Sequence, residues 1–140
     1  MRQDGLAEMW MKVVPLDWLL EYELQAAERY RRYVALVLIR STARWAQLRE
    51  QLAQSLRASD AIIPQHGATS IVMTDTEIGG ALVAVERLKK ACCCDKAETY
   101  FAVAIYPQDG VLSDNLLVKA QLRLEKARSS VPGTVICSDL

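Results

Sequence analysis

The run Tyr33-Val-Ala-Leu-Val-Leu-Ile39 is the feature of this sequence that most constrains its fold. It is short, rich in β-branched residues and apolar on both faces, so both faces need cover from water. It is also far too short to cross a bilayer, which takes about 20 apolar residues in a helix. We therefore predict that it forms the central strand of a sheet with helices on both sides.

Apolar residues at helical spacing predict four helices around this strand, over residues 16–27, 45–56, 78–88 and 116–124. Pro15 is suited to open the first helix. Thr74-x-x-Glu77 has the form of a capping box that opens the third. Asp75 is explained by the same helix capping, so we assign it no chemistry. Gly79-Gly80 lies inside the third helical pattern, where close helix packing is the plain explanation.

Shorter apolar segments predict the remaining strands, over residues 61–64, 70–74, 99–105 and 134–137. The first two flank His66-Gly67, which predicts a hairpin. The order of elements is then α-β-α-β-β-α-β-α-β. We therefore predict a single-domain α/β sandwich with a mixed central sheet, because one hairpin interrupts the crossover pattern. This domain covers residues 16–140 and follows an apolar N-terminal segment, residues 1–15.

Charge and hydropathy exclude several classes of partner. The chain has 17 basic and 17 acidic residues, so it has no general attraction to polyanions, and we expect neither nucleic acid binding nor membrane insertion. An anionic ligand would have to be met by a few placed arginines. The N-terminus has no signal-peptide core, so we expect a cytoplasmic protein.

The cysteines and the single histidine do not have the spacing of a metal site. Cys92, Cys93 and Cys94 are adjacent, and Cys137 is distant in sequence. Adjacent cysteines cannot supply the C-x-x-C chelate of a zinc site. We interpret them as reduced thiols, and expect no metal and no cofactor.

Five segments follow one another in an order that is typical of one known family. They are "LLEYELQAAERYRRYVALVLI", "LRASD", "SIVMTDTEIGGALVAVERLKKA", "FAVAIYPQDG" and "LLVKAQLRLEKARSS". From about residue 19 to residue 128 the chain resembles a GGDEF domain, the fold of bacterial diguanylate cyclases, in shortened and degenerate form. The resemblance implies that fold and a role in cyclic di-GMP signalling.

The sequence departs from this family where the family's active site would lie. The signature hairpin reads "QHGATS", without an acidic pair, and Arg40 and Ser41 follow the first strand where the family has a metal-binding acid. The family's next segment, which holds the substrate guanine, is missing. Two Mg²⁺ ions between triphosphates need fixed carboxylate oxygens. We therefore expect that the protein is not an enzyme and has no catalytic residues.

A second family site has counterparts here. Arg57-x-x-Asp60 matches the R-x-x-D motif of the inhibitory site, which binds cyclic di-GMP, and Arg87 matches its partner arginine. An arginine fork can donate to guanine O6 and N7, and a carboxylate can accept from guanine N1–H and N2–H. The resemblance thus implies a cyclic di-GMP receptor. The alternatives are that Arg57 and Asp60 only end a helix and form a turn, and that the protein is an interaction scaffold without a nucleotide.

The N-terminal segment carries unusually many large apolar residues for a chain end. Met9, Trp10 and Met11 lie close to Trp18 in the sequence. If this segment is exposed, it is a binding site for a protein partner or a second copy, as in a homodimer. The alternative is that the segment packs back on its own domain.

Overall fold

The computed structural model describes residues 15–65, 67–92 and 97–139. Their helices are α1 (Leu16–Tyr30), α2 (Trp45–Ser55), α3 (Ile78–Cys92) and α4 (Ser113–Arg128). The strands are β1 (Val34–Ser41), β2 (Ala61–Gln65), β3 (Ala68–Thr74), β4 (Thr99–Tyr106) and β5 (Val135–Ile136). The order α1-β1-α2-β2-β3-α3-β4-α4-β5 confirms the predicted order.

Strand β1 is the middle strand of a five-stranded sheet with the order β2-β3-β1-β4-β5. It pairs antiparallel with β3 on one side and β4 on the other, so that Leu36 lies between Val72 and Ala104. The outer pair β4–β5 is parallel. Residues 34–39 are all buried. The predictions of a central strand and a mixed sheet are therefore confirmed.

Helices cover both faces of the sheet. On one face, Leu36 lies in a core cluster with Leu20 of α1 and Leu116 of α4. On the other face, Val37 lies in a second cluster with residues of α2 and α3, including Leu52. Successive residues of a strand point to opposite faces, which explains why the apolar run of β1 serves two cores. The molecule is an α/β sandwich, as predicted.

The predicted hairpin is formed by β2 and β3. Its turn includes Gly67 with φ 79°, a left-handed conformation in which a β-carbon is strained. Pro64 lies in β2, which is an edge strand of the sheet and therefore tolerates a residue without an N–H donor. His66 lies outside the described residues.

A buried arginine ties strand β4 to helix α4. Arg123 donates from Nη1 to the carbonyl of Val103, at 2.7 Å, and both of its terminal nitrogens donate to Asp109. Its Nε donates to Asp139 near the C-terminus. Burial opposes ionisation of Asp109, but bonds from Arg123 and from the Ile105 N–H outweigh it and hold the pKa of Asp109 below its usual value.

Several predicted features of the chain fall partly outside the described residues. Met9 and Trp10 of the N-terminal segment do so, as do Cys93 and Cys94. Cys92 is buried at the end of α3. None of the helices that the structure describes is both long enough and apolar enough to cross a membrane.

Candidate functional site

The three predicted site residues line one cleft. Arg57, Asp60 and Arg87 all border a cavity of about 450 Å³. Arg57 and Asp60 come from the segment between α2 and β2, whereas Arg87 comes from α3. The fold brings them together because α3 packs on the sheet beside the junction where β2 begins and β3 ends.

Arg57 is held at one end of this cleft by Asp60. The Asp60 carboxylate accepts from the backbone N–H of Arg57 at 2.9 Å and from its Nη2 at 3.0 Å. The side chain of Asp60 is 2% exposed, whereas that of Arg57 is 51% exposed. Asp60 therefore orients the guanidinium, and Arg57 presents it to the cleft.

The junction between β3 and α3 supplies further acceptors for Arg57. Its Nη2 lies 3.0 Å from the carbonyl oxygen of Thr74 and 2.9 Å from Oγ1 of Thr76. The Thr76 N–H donates to the carbonyl of Tyr33, beside β1. Within the described part of the chain, these bonds use Nε and Nη2 of Arg57 and leave Nη1 available to a ligand.

The predicted capping box at this junction is wrong. Helix α3 begins at Ile78, and its first turn closes with a bond from the Ala81 N–H to the carbonyl of Glu77. Thr74 is the last residue of β3, too far upstream to cap the helix. Its carbonyl instead accepts from Arg57 and from the Thr76 hydroxyl.

The cleft has three further charged residues that the sequence did not predict as ligand-binding residues. Arg31, Asp75 and Glu77 all line it. Arg31 and Asp75 have φ angles of 54° and 52°, and they are the non-glycine residues with positive φ in the described chain. Such strained residues often cluster at ligand sites. The sequence carried no signal for Arg31, because the position after a helix usually takes glycine when it is left-handed.

Formal charges balance within the cleft. Three arginines face three carboxylates there, and one carboxylate, that of Asp60, is already occupied by Arg57. Arg87 is exposed and makes no hydrogen bond or ion pair with another residue of the described ranges. An anion is therefore not attracted by net charge, and has to be bound by arginine donors in fixed positions.

A smaller cleft of about 300 Å³ lies beside the hairpin turn. It is bordered by Arg40 and Ser41 at the end of β1 and by Gly67. A β-carbon at Gly67 would lie 3.5 Å from Nη1 of Arg40, and the Ser41 hydroxyl is 3.1 Å from that of Thr99. A Mg²⁺ ion needs carboxylate oxygens, so a guanidinium and a bonded hydroxyl do not fit the metal that this fold family implies.

Comparison with known proteins identifies the fold. The GGDEF domain of YfiN (TpbB) from Pseudomonas aeruginosa is 16% identical, with coverage of 93% of each chain and a TM-score of 0.78. The active GGEEF domain of a diguanylate cyclase from Vibrio cholerae is 11% identical, with coverage of 89% of this chain and 95% of that chain and a TM-score of 0.72. No protein-family model and no curated protein matches the sequence.

A third similar structure contains a protein partner. It is the diguanylate cyclase SiaD in complex with its activator SiaC, from Pseudomonas aeruginosa. SiaD is 11% identical, with coverage of 97% of this chain and 66% of that chain and a TM-score of 0.72.

These comparisons contradict the prediction that the protein is not an enzyme. That prediction rested on residues missing from the hairpin and from the end of β1, yet the whole architecture is shared with domains of diguanylate cyclases, one of them described as active. The missing motif residues were therefore not a sufficient basis for it. At identities of 11% to 16%, what the similarity shows is the fold. The chain has the fold of the GGDEF domains of diguanylate cyclases.

Proposed function

We propose that this protein binds cyclic di-GMP in the larger cleft, through Arg57, Asp60 and Arg87. One observation carries the proposal: these residues, predicted as a set from the sequence, border a single cavity. Arg57 and Asp60, which are three residues apart in sequence, could serve only a helix end and a turn. Arg87 has no part in either, and its presence in the same cleft favours a ligand.

The chemistry of the cleft suits a guanine base next to a phosphodiester. Guanine presents the acceptors O6 and N7 to a donor fork, and Nη1 of Arg57 is available for this. Asp75 and Glu77 lie in the same cleft as exposed carboxylates, which suit the guanine N1–H and N2–H donors. Arg87, on helix α3, is suited to a phosphate or to stacking on a base.

Asp60 acts on the ligand through Arg57 in this proposal. Its carboxylate is almost fully buried and accepts three hydrogen bonds from Arg57. Replacement by asparagine keeps the shape but puts an NH₂ donor near the guanidinium. Asp60→Asn should therefore weaken binding by releasing Arg57.

Calorimetric titration with cyclic di-GMP tests the proposal. The parent should release or absorb heat, and Arg57→Ala should lose about 1–3 kcal/mol of binding, the usual worth of a bidentate contact to a base. Arg87→Ala should also weaken binding and should flatten its salt dependence, because a charge near phosphate is removed.

The control for these variants is Arg128→Ala, on the other side of the sheet at the end of α4. It should bind like the parent, and all variants should keep the parent's melting temperature. GTP serves as the control ligand. If Arg57→Ala and Arg87→Ala bind cyclic di-GMP as well as the parent does, the ligand lies elsewhere. A parent that binds neither nucleotide would favour the alternative function, an interaction scaffold.

We also propose that the protein associates with itself or with a protein partner near its N-terminus. On α1, Trp18 and Tyr22 are 57% and 60% exposed and stack on each other with ring centroids 5.8 Å apart. They directly follow the apolar segment, residues 1–15, that contains Met9 and Trp10. Exposed aromatic pairs are typical of binding surfaces, and SiaD, of the same fold, was solved with a protein activator.

Analytical ultracentrifugation tests this surface. We expect the parent to sediment as a dimer, and the double variant Trp18→Ser, Tyr22→Ser to shift toward the monomer because it loses apolar contact area. A chain that starts at Leu16 should shift in the same direction. As a control, Val131→Ser, at an exposed valine far along the chain, should leave the mass unchanged. The same oligomeric state for all four proteins would favour packing of the segment on its own domain.

A further inference from the structure

Two adjacent glycines in the first turn of α3 have no structural explanation. Gly79 and Gly80 follow Ile78, the first residue of the helix. Glycine loses more backbone freedom than any other residue when a helix forms, and first turns favour acidic residues, of which this turn has none. A helix that retains two glycines here gives up stability.

Neither glycine is required by packing or by backbone conformation. Neither has a positive φ. A β-carbon on Gly79 would have no neighbour within 4 Å among the described atoms, and one on Gly80 would only meet Cγ2 of Thr76 at 3.5 Å, an ordinary contact. The prediction of close helix packing at this pair is therefore wrong, because both glycines lie on the exposed surface of α3.

Gly80 differs from Gly79 in its position: it lines the larger cleft. Ala84 and Arg87 line the cleft too, four and seven residues further along the same face of the helix. At the other end, Thr76 presents its methyl group to Gly80 and its hydroxyl to Arg57. At Gly80 and Ala84 the helix therefore presents no side chain larger than a methyl group to the cleft.

We infer that Gly80 is where the ligand approaches helix α3 most closely, and that its missing side chain admits a planar base between Arg57 and Arg87. This inference rests on the proposed function and adds a determinant of ligand size. A base lying on Gly80 contacts the helix backbone with its face and reaches an arginine at each edge. A larger side chain at this position would occupy the space that the ring of the base needs.

The matched pair Gly80→Leu and Gly79→Leu tests the inference with cyclic di-GMP as the probe in calorimetry. Both variants should melt at or above the parent temperature, because leucine is a far better helix former than glycine. Gly80→Leu should weaken binding by about tenfold or more, the scale on which a binding pocket rejects extra carbon atoms. Gly79→Leu should bind like the parent, and Gly80→Ala should lose less than Gly80→Leu.

Each other outcome has a distinct meaning. Parent-like binding by Gly80→Leu overturns the inference, while the proposed function stands if Arg57→Ala still weakens binding. A melting temperature of Gly80→Leu clearly below that of Gly79→Leu assigns the glycine a structural role and also overturns the inference. If the parent itself gives no heat with cyclic di-GMP, the proposed function and the inference fail together.

Discussion

Replacing Leu36 by aspartate should abolish the folded protein. Leu36 is fully buried in the middle of the central strand and packs against α1 and α4. The change removes a leucine from the core, at about 2–5 kcal/mol for lost burial alone, and adds a carboxylate without a partner, which costs more again. The sum approaches the total stability of a domain of this size, about 5–15 kcal/mol.

Soluble yield and thermal unfolding by circular dichroism measure this effect. Leu122→Asp is the matched control, because Leu122 lies on α4 but is 65% exposed. It should express and melt like the parent. A soluble Leu36→Asp protein with the parent's melting temperature would contradict the position of β1 at the centre of the sheet.

Replacing Arg123 by methionine should have the second largest effect on stability. The Arg123 side chain is 4% exposed and donates to Asp109, Asp139 and the carbonyl of Val103. Methionine keeps the apolar stem but leaves Asp109 partly buried without its cation. Removing one partner of a buried ion pair costs about 3 kcal/mol. Urea denaturation should show this loss at neutral pH.

Arg128→Met is the control on the same helix. Arg128 pairs with Glu125 at 3.0 Å, but the two side chains are 36% and 68% exposed. A pair of this kind contributes about 0–1 kcal/mol, so the control should unfold at nearly the same urea concentration as the parent. Equal losses in the two variants would contradict the special role of Arg123.

The same residues predict how stability depends on pH. Hydrogen bonds from Lys119 and Arg123 lower the pKa of Asp139 from 3.8 to about 2, and the pKa of Asp109 is also lowered. A carboxyl whose pKa is lower in the folded state binds fewer protons there than when unfolded. Its contribution to the free energy of unfolding is therefore complete above the usual pKa of 3.8 and is lost as pH falls toward 2. Arg123→Met should lose less stability than the parent over this range.

The sequence predicted the members of the candidate site but not its geometry. Arg57, Asp60 and Arg87 are implied by the resemblance to GGDEF domains, and they do line one cleft. The contribution of Arg31 and Asp75 could not be predicted, because it depends on left-handed backbone at two corners of the fold. The anchoring of Arg57 on Thr76 could not be predicted either, since it joins residues from two separate elements.

The sequence by itself determined the elements and the centre of the sheet. The apolar run of β1 is stable only when both of its faces are covered. Glycine predicts a turn because it takes left-handed backbone without strain, and Gly67 does have this conformation. These are local consequences of solvation and sterics.

Only the tertiary structure decided which charged groups meet. Arg123 and Asp109 are 14 residues apart, and Arg57 and Thr76 are 19 apart. Each pair forms because the sheet and the helices bring distant segments together. For Arg123, which is 4% exposed, burial also makes an unpaired charge too costly to leave. The same assembly brought Gly80, a residue of low helix propensity, into the lining of one cleft with Arg57 and Arg87.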